Sequence, residues 1–201
     1  MLRNYATLTI IFELGKFARV VLSRHETTGH YYALKIMSME DVIRLKQVEH
    51  VHNEKNILKS ISHPFLIFLT SSSMDTRFLY LMFPYIPGGE LFSYLRSMRI
   101  FPSSTALFYT SEIFSVLGYL HSLYIIYRDI KLENLLLDRE RHLKIVDFGF
   151  SKQVRDETGT LCSTTEYIAP EIILNMGYGA SVDWWALGVL VFEMVLGYPP
   201  F

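Results

Sequence analysis

Asp129, Lys131, Asn134 and Asp147 are polar residues set in a stretch dominated by apolar, strand-like neighbours. They fall in the runs Tyr127-Arg128-Asp129-Ile130-Lys131-Leu132-Glu133-Asn134 and Asp147-Phe148-Gly149. Phosphoryl transfer calls for a carboxylate to orient the attacking hydroxyl, a cation beside the moving phosphoryl group, and oxygen ligands for magnesium. The four side chains supply that set within one short stretch.

Elements that could position these residues are legible on both sides of them. Strands are predicted at Thr7–Glu13, Arg19–Arg24 and Tyr31–Met37, with the turn residues Thr28-Gly29 before the third. A helix follows with Val48, Val51, Leu58 and Ile61 on one apolar face, which also carries Glu54. The runs Leu66–Thr70 and Phe78–Phe83 read as further strands, and the breaker cluster Pro84-Tyr85-Ile86-Pro87-Gly88-Gly89 as a hinge. Beyond it a long helix is expected, capped by Ser103 or Ser104, with Ala106, Tyr109, Ile113, Val116 and Leu120 on one face. Strands Leu135–Leu137 and Leu143–Val146, a polar loop to Glu171 and a helix over Ser181–Leu196 complete the reading.

The composition narrows the class. A chain of 201 residues, 50% of them apolar, can bury a sizeable core, and a formal net charge of −1 argues against a general nucleic-acid binder. Its one cysteine, Cys162, excludes an intramolecular disulfide framework and fits a reducing compartment. The amino-terminal apolar run is too short for a signal peptide, and Trp184–Met194 is too short to span a bilayer. No membrane partner is expected, and the cytoplasm, with the nucleus also open to it, is the expected location.

A second chemical pair emerges from periodicity. On the strand Tyr31–Met37, Tyr31, Ala33, Lys35 and Met37 share a face. Taken alone, Lys35 could equally be a solvated strand lysine. Glu54 weighs against that, because a carboxylate on an apolar helix face needs a partner and Lys35 is the obvious candidate.

With these motifs in place, the chain resembles eukaryotic Ser/Thr protein kinases of the AGC group, in particular the cAMP-dependent catalytic subunits and their X- and Y-linked relatives. The resemblance runs from about Tyr5 to Phe201. It is carried by Tyr32-Ala33-Leu34-Lys35, His52-Asn53-Glu54-Lys55, Pro87-Gly88-Gly89-Glu90-Leu91-Phe92, Tyr127-Arg128-Asp129, Asp147-Phe148-Gly149-Phe150 and Val182-Asp183-Trp184-Trp185-Ala186-Leu187-Gly188. It implies an α+β, two-lobed kinase fold, with residues 1–83 as a small β-rich N-lobe, 84–89 as hinge and 90–201 as a helical C-lobe that stops after its central helix. It implies ATP and Mg2+ as cofactors and protein substrates with arginine upstream of the acceptor Ser or Thr.

The same resemblance assigns roles by residue. Asp129 orients the substrate hydroxyl, Lys131 sits by the transferring phosphoryl, Asn134 and Asp147 hold magnesium, and Lys35 pairs with Glu54. Gly15, Phe17, Val20, Ala33, Phe83, Pro84, Ile86, Glu90 and Leu136 fall at nucleotide-binding places, with Phe83 at the back of the pocket. Thr160 matches an activation-loop phosphorylation site for an upstream kinase, with His50, Arg128 and Lys152 as its basic receivers. Glu90, Glu133 and Glu193 match acidic residues that select substrate arginines. Thr164, with Lys131, matches the Ser/Thr form of the acceptor site. Leu58, Leu69, Tyr127 and Phe148, anchored by Asp183, match a stacked spine.

Departures from the pattern define an alternative. Glu13, Gly15 and Ala18 stand where the family has Gly-x-Gly-x-x-Gly, and Glu13 brings a carboxylate to that loop. Pro84 replaces a hinge acid, leaving its carbonyl as acceptor while Ile86 offers an N–H. Ser163 and Thr165 replace Gly and Pro, and Leu132 replaces the Pro usual after the catalytic-loop Lys. Gly159 replaces a Trp that contributes to regulatory-subunit docking, which argues against control by such a subunit. With further helices missing after Phe201, Leu187, Leu190 and Val191 are expected to form an exposed apolar patch. The alternative is a truncated, catalytically impaired pseudokinase that acts by binding or has no function.

Overall fold

The computed structural model describes residues 5–14, 18–154 and 165–201, with side chains described from 18 onward except Thr165. Backbone contacts divide the chain into two compact units, 1–60 with 67–86, and 61–66 with 87–201.

The first unit is a five-stranded sheet with two helices. Its strands are β1 (Tyr5–Leu14), β2 (Ala18–His25), β3 (Tyr31–Ser38), β4 (Ser71–Met74) and β5 (Phe78–Pro84), in the order β1-β2-β3-β5-β4. Neighbours in that order pair antiparallel. The registers Val20↔Lys35, Leu22↔Ala33, Ala33↔Phe83 and Lys35↔Leu81 place Val20, Ala33, Lys35 and Phe83 on one face, because residues directly opposite each other share a side. The other face buries Val21, Leu34, Ile36 and Met82, with Tyr32, Phe78 and Tyr80 packed against them. Helix α1 (Met39–Arg44) is capped by Ser38, whose hydroxyl accepts from the Asp41 N–H, and helix α2 (Val48–Ser60) follows.

Two expectations for this unit are corrected. Leu66–Thr70 does not form a strand of the sheet. Leu66 makes only an isolated bridge to Ile145, and the strand that pairs with β5 at its edge of the sheet is the serine-rich β4. Burial of Leu66 and Ile67 accounts for the apolar run without a ladder. Val48 is exposed, and the buried face of α2 consists of Val51, Glu54, Ile57 and Leu58.

The second unit is mainly helical, with α3 (Leu91–Met98), α4 (Ser103–Ser122), α5 (Pro170–Ile173) and α6 (Ser181–Leu196). Short strand pairs β6 (Ile125–Ile126) with β9 (Lys152–Gln153), and β7 (Leu135–Leu137) with β8 (Leu143–Ile145), carry the loops between them. No serine caps α4; Pro102 occupies the cap position with φ −53 and ψ 147, and Ser103 is already helical. Fixed proline torsion, rather than a side-chain hydrogen bond, sets the entry of that helix. Leu187 and Leu190 are buried, 7% and 0% exposed, and Val191 is half-buried, which corrects the expected patch. Among the described residues no helix is long and apolar enough to cross a membrane.

Candidate active site

In the first unit the expected ion pair is formed. Lys35 Nζ lies 2.7 Å from Glu54 Oε1, with side-chain exposures of 15% and 4%. Alternation on β3 points Lys35 away from the Leu34/Ile36 core, and α2 meets it with a carboxylate, so two charges are buried only as a pair. Val20, Ala33 and Phe83 share the Lys35 face, while Pro84 ends β5 opposite Tyr32. Tyr85 donates its N–H to the Tyr31 carbonyl at 3.4 Å, next to Ile86. Glu13 pairs with Val20 at the end of β1. Gly15 and Phe17 lie outside the described residues.

In the second unit the catalytic loop is held from below by α6. Asp183, 0% exposed, accepts from the Tyr127 N–H at 2.9 Å and the Arg128 N–H at 2.8 Å, and His121 Nε2 lies 2.8 Å from it. The anchor matters because Arg128 adopts φ 67 and Asp147 φ 56, left-handed torsions that non-glycine residues seldom take. Asp147 is braced by its own loop, where the Gly149 N–H donates to Oδ1 at 3.2 Å. Tyr127 and Phe148, both 0% exposed, meet edge to face with centroids 5.3 Å apart, and the Tyr127 hydroxyl donates to the Val146 carbonyl.

Asp129 is the centre of this loop. Its Oδ2 lies 3.0 Å from Lys131 Nζ and accepts from Asn134 Nδ2 at 2.7 Å, and the same amide donates to the Asp129 carbonyl at 2.9 Å. Its Oδ1 is the buried side-chain atom left without a hydrogen-bond partner among the described residues. Burial raises the Asp129 pKa above its ordinary value, the nearby Asp147 charge adds to the rise, and Lys131 and Asn134 oppose it. A buried polar atom without a partner is costly and invites a donor from outside the chain. The orphan is therefore placed to take a hydrogen bond from a hydroxyl, while the neighbouring oxygen is fixed by Lys131 and Asn134. Asn134 spends its amide N–H groups on Asp129, which aims its oxygen chemistry elsewhere. With Asp147, that donor set suits a hard cation such as magnesium.

The remaining predicted residues are placed as follows. Glu90 precedes α3, is exposed, and bridges to Leu136 of β7 through the backbone. Glu133 is exposed, whereas Glu193 is 4% exposed and accepts from the Tyr167 hydroxyl. Burial, with Glu193 and then Glu133 adding to it, drives the Tyr167 pKa far upward, so both carboxylates lie near this phenol. Arg128 is 6% exposed and donates to the Phe150 carbonyl at 2.6 Å and to the Tyr178 hydroxyl at 3.1 Å; Lys152 pairs with Ile126 between β9 and β6. His50 belongs to the first unit, 2.7 Å from Gln47 Oε1. Thr160 and Thr164 lie outside the described residues. Tyr167, His121 and Tyr178 escaped the sequence reading. The one available signal was Glu193, a carboxylate inside an apolar helix that needed a donor.

The protein kinase domain profile matches residues 12–201, and the chain belongs to that family. It is 56% identical over 200 residues to "cAMP-dependent protein kinase catalytic subunit PRKX" of Homo sapiens, covering 100% of this chain and 56% of that protein. It is 57% identical to "Putative serine/threonine-protein kinase PRKY" of Homo sapiens, covering 93% of this chain and 68% of that one. With "cAMP-dependent protein kinase catalytic subunit 3" of Drosophila melanogaster it shares 59% identity over 93% of this chain and 32% of the relative. The chain thus spans between about a third and two thirds of the length of these relatives.

Proposed function

We propose that this chain forms the catalytic core of a Ser/Thr protein kinase of the cAMP-dependent type. It would transfer the γ-phosphoryl group of ATP to Ser or Thr in proteins with upstream arginine. The observation that carries this reading is Asp129: one carboxylate oxygen is held by Lys131 and Asn134, and the other is buried with no partner among the described residues.

Asp129 Oδ1 accepts the hydroxyl hydrogen bond and orients its oxygen for attack. The raised pKa of its carboxyl suits it to take the proton as the new bond to phosphorus forms. Lys131 supplies positive charge beside the transferring group, and Lys35, fixed by Glu54, supplies it to the nucleotide phosphates. Asn134 and Asp147 would hold magnesium, which when bound neutralises charge on the phosphate oxygens. Glu90, Glu133 and Glu193 are assigned to substrate arginines, Thr160 to an upstream kinase, and no regulatory subunit is assigned, given Gly159. A cytoplasmic location, extending to the nucleus, is part of the same reading and draws on the single cysteine.

Labelled-phosphate transfer to an arginine-containing Ser peptide tests the proposal. Asp129→Asn is expected to lower the rate by roughly a hundredfold or more, the usual worth of a positioned base. Equal rates from both proteins would sink it. A thermal shift with ATP and magnesium but no transfer, unchanged in Asp129→Asn, would favour the impaired, binding-only alternative that Glu13 and Pro84 suggest.

A further inference from the structure

The proposed activity asks for an arginine upstream of the acceptor hydroxyl, and the chain carries such a sequence itself. Of its arginines, only Arg24 and Arg155 stand three positions before a Ser or Thr, at Thr27 and Thr158. Thr158 lies outside the described residues. Three steps of extended chain set two side chains about 10 Å apart, far enough for hydroxyl and guanidinium to be met by different carboxylates. Asp129 is assigned to the hydroxyl, and Glu90, Glu133 and Glu193 to the guanidinium.

Thr27 lies in the turn that joins β2 to β3. The ladder between those strands ends at Arg24↔Tyr31, and residues 26–30 belong to no strand. Glu26, Thr27 and Thr28 are exposed, as is Arg24. The Gly29 N–H on the His25 carbonyl and the His25 N–H on the His30 carbonyl, each at 2.9 Å, close the turn, with Gly29 at φ 73. Thr28 is engaged inside it. Its N–H donates to His25 Nδ1 at 3.2 Å, and its hydroxyl oxygen accepts from the His30 N–H at 3.5 Å. Neither bond uses the Thr27 hydroxyl. Exposed turns held by a few hydrogen bonds open at far lower cost than core strands, and opening here offers an extended acceptor segment.

We propose that Thr27 is a phosphorylation site used by a second copy of this chain, with Arg24 as the recognised upstream arginine. This rests on the assignment of arginine-directed Ser/Thr kinase activity. In the step, Thr27 Oγ1 bonds to the γ-phosphorus of ATP as the bond from that phosphorus to the bridging oxygen breaks. ADP leaves, and the hydroxyl proton passes to the Asp129 carboxylate of the second copy. The turn also suits the product, which brings up to two negative charges and three acceptor oxygens. Arg24 lies over the Tyr31 ring, 5.9 Å from its centre, and a Cβ on Gly29 would stand 3.3 Å from one of its terminal nitrogens. Its guanidinium is thus folded against the turn, where charge-assisted hydrogen bonds to the phosphate would close the turn again.

The full chain is incubated with labelled ATP and magnesium, and the label is located by peptide mapping. Transfer to an arginine-containing Ser peptide is measured beside it. Label is expected at Thr27, at a rate per molecule that rises in proportion to protein concentration. Arg24→Ala should lower labelling of Thr27 about tenfold or more, the worth of one hydrogen bond to a charged group, and leave transfer to the peptide unchanged. Thr27→Val should lose that label and keep transfer to the peptide. Asp129→Asn should not label itself but should accept label at Thr27 from a trace of parent. Transfer to the peptide without label at Thr27, equal labelling in Arg24→Ala, or a rate per molecule independent of concentration would each overturn the inference alone. A parent that fails on the peptide would overturn the kinase assignment, and the inference with it.

Discussion

Asp183→Ala should separate anchoring of the catalytic loop from its chemistry. The native carboxylate is 0% exposed and accepts from the Tyr127 N–H at 2.9 Å and the Arg128 N–H at 2.8 Å, with His121 Nε2 at 2.8 Å. Alanine leaves two backbone donors buried without partners, each costing about 1–3 kcal/mol. Relief of a desolvated carboxylate offsets part of that sum. The expected net loss is about 2–4 kcal/mol, equivalent to roughly 10 °C in melting temperature for a chain of this size. The readout is specific, because the two tryptophans of the chain, Trp184 and Trp185, are neighbours of Asp183 on α6. Urea denaturation followed by tryptophan fluorescence therefore reports on the unit that contains the loop. Arg128, held at φ 67, should also relax, and transfer activity should fall further than stability alone explains at low temperature. A midpoint equivalent to less than about 0.5 kcal/mol from the parent would refute the view that Asp183 carries the loop, since ordinary surface changes fall in that range.

Three other perturbations test separate parts of the structure. Glu54→Ala removes a 2.7 Å charge-assisted bond to Lys35 and is expected to cost about 1.5–3 kcal/mol in urea unfolding while reducing the thermal shift produced by ATP and magnesium; an undiminished nucleotide shift would count against the role of the pair. Gly88→Ala places a Cβ 2.3 Å from the Leu137 carbonyl oxygen, in the stretch where the Gly88 N–H donates to that same oxygen. The clash is with backbone, so a loss of about 1–3 kcal/mol is expected, and full stability would show that the close approach is absent in solution. His142, in the turn between β7 and β8, has its pKa raised above 6.5, first by its hydrogen bond at 2.5 Å to Glu112 of α4 and also by that charge. The bond favours the protonated folded state, so its contribution is complete below pH 6.5 and fades as pH rises through the raised value. The urea midpoint should fall across that window in the parent and stay flatter in Glu112→Gln.

Residues whose chemistry depends on local spacing were legible in the sequence, and those that depend on distant packing were not. Lys35 and Glu54 could be paired because strand and helix periodicity puts one charge on each facing side, and the 2.7 Å contact meets that expectation. Asp129, Lys131 and Asn134 are close in sequence, and the turn that closes them is local, with the Asn134 N–H on the Lys131 carbonyl at 3.1 Å. Tyr167 and His121 could not be read this way. Tyr167 reaches Glu193 across 26 positions and His121 reaches Asp183 across 62, and no periodicity links them. The strand misplaced at Leu66–Thr70 has the same origin. Leu66 and Ile67 are buried there without a ladder and Phe68 is exposed, while Ser71, Ser72 and Ser73 pair with β5 despite weak intrinsic preference.

Two departures that looked like damage fit the structure without strain. Pro84 lacks an N–H, which in a central strand would break a ladder. Yet β4 pairs with β5 only as far as Ser71↔Met82, so at Pro84 the strand has an open side and the missing donor is tolerable there. Leu132 occupies the first place of its turn, where either an N–H or a proline ring is permitted. Scattered loss of constraint would leave such substitutions at odds with their surroundings. Their fit, the intact Lys35–Glu54 pair of the first unit and the half-satisfied Asp129 of the second are each at odds with such scatter. Glu13, paired with Val20 at the end of β1, is the remaining departure, and Glu13→Gly is the substitution whose effect on the nucleotide shift weighs most directly between phosphoryl transfer and binding alone.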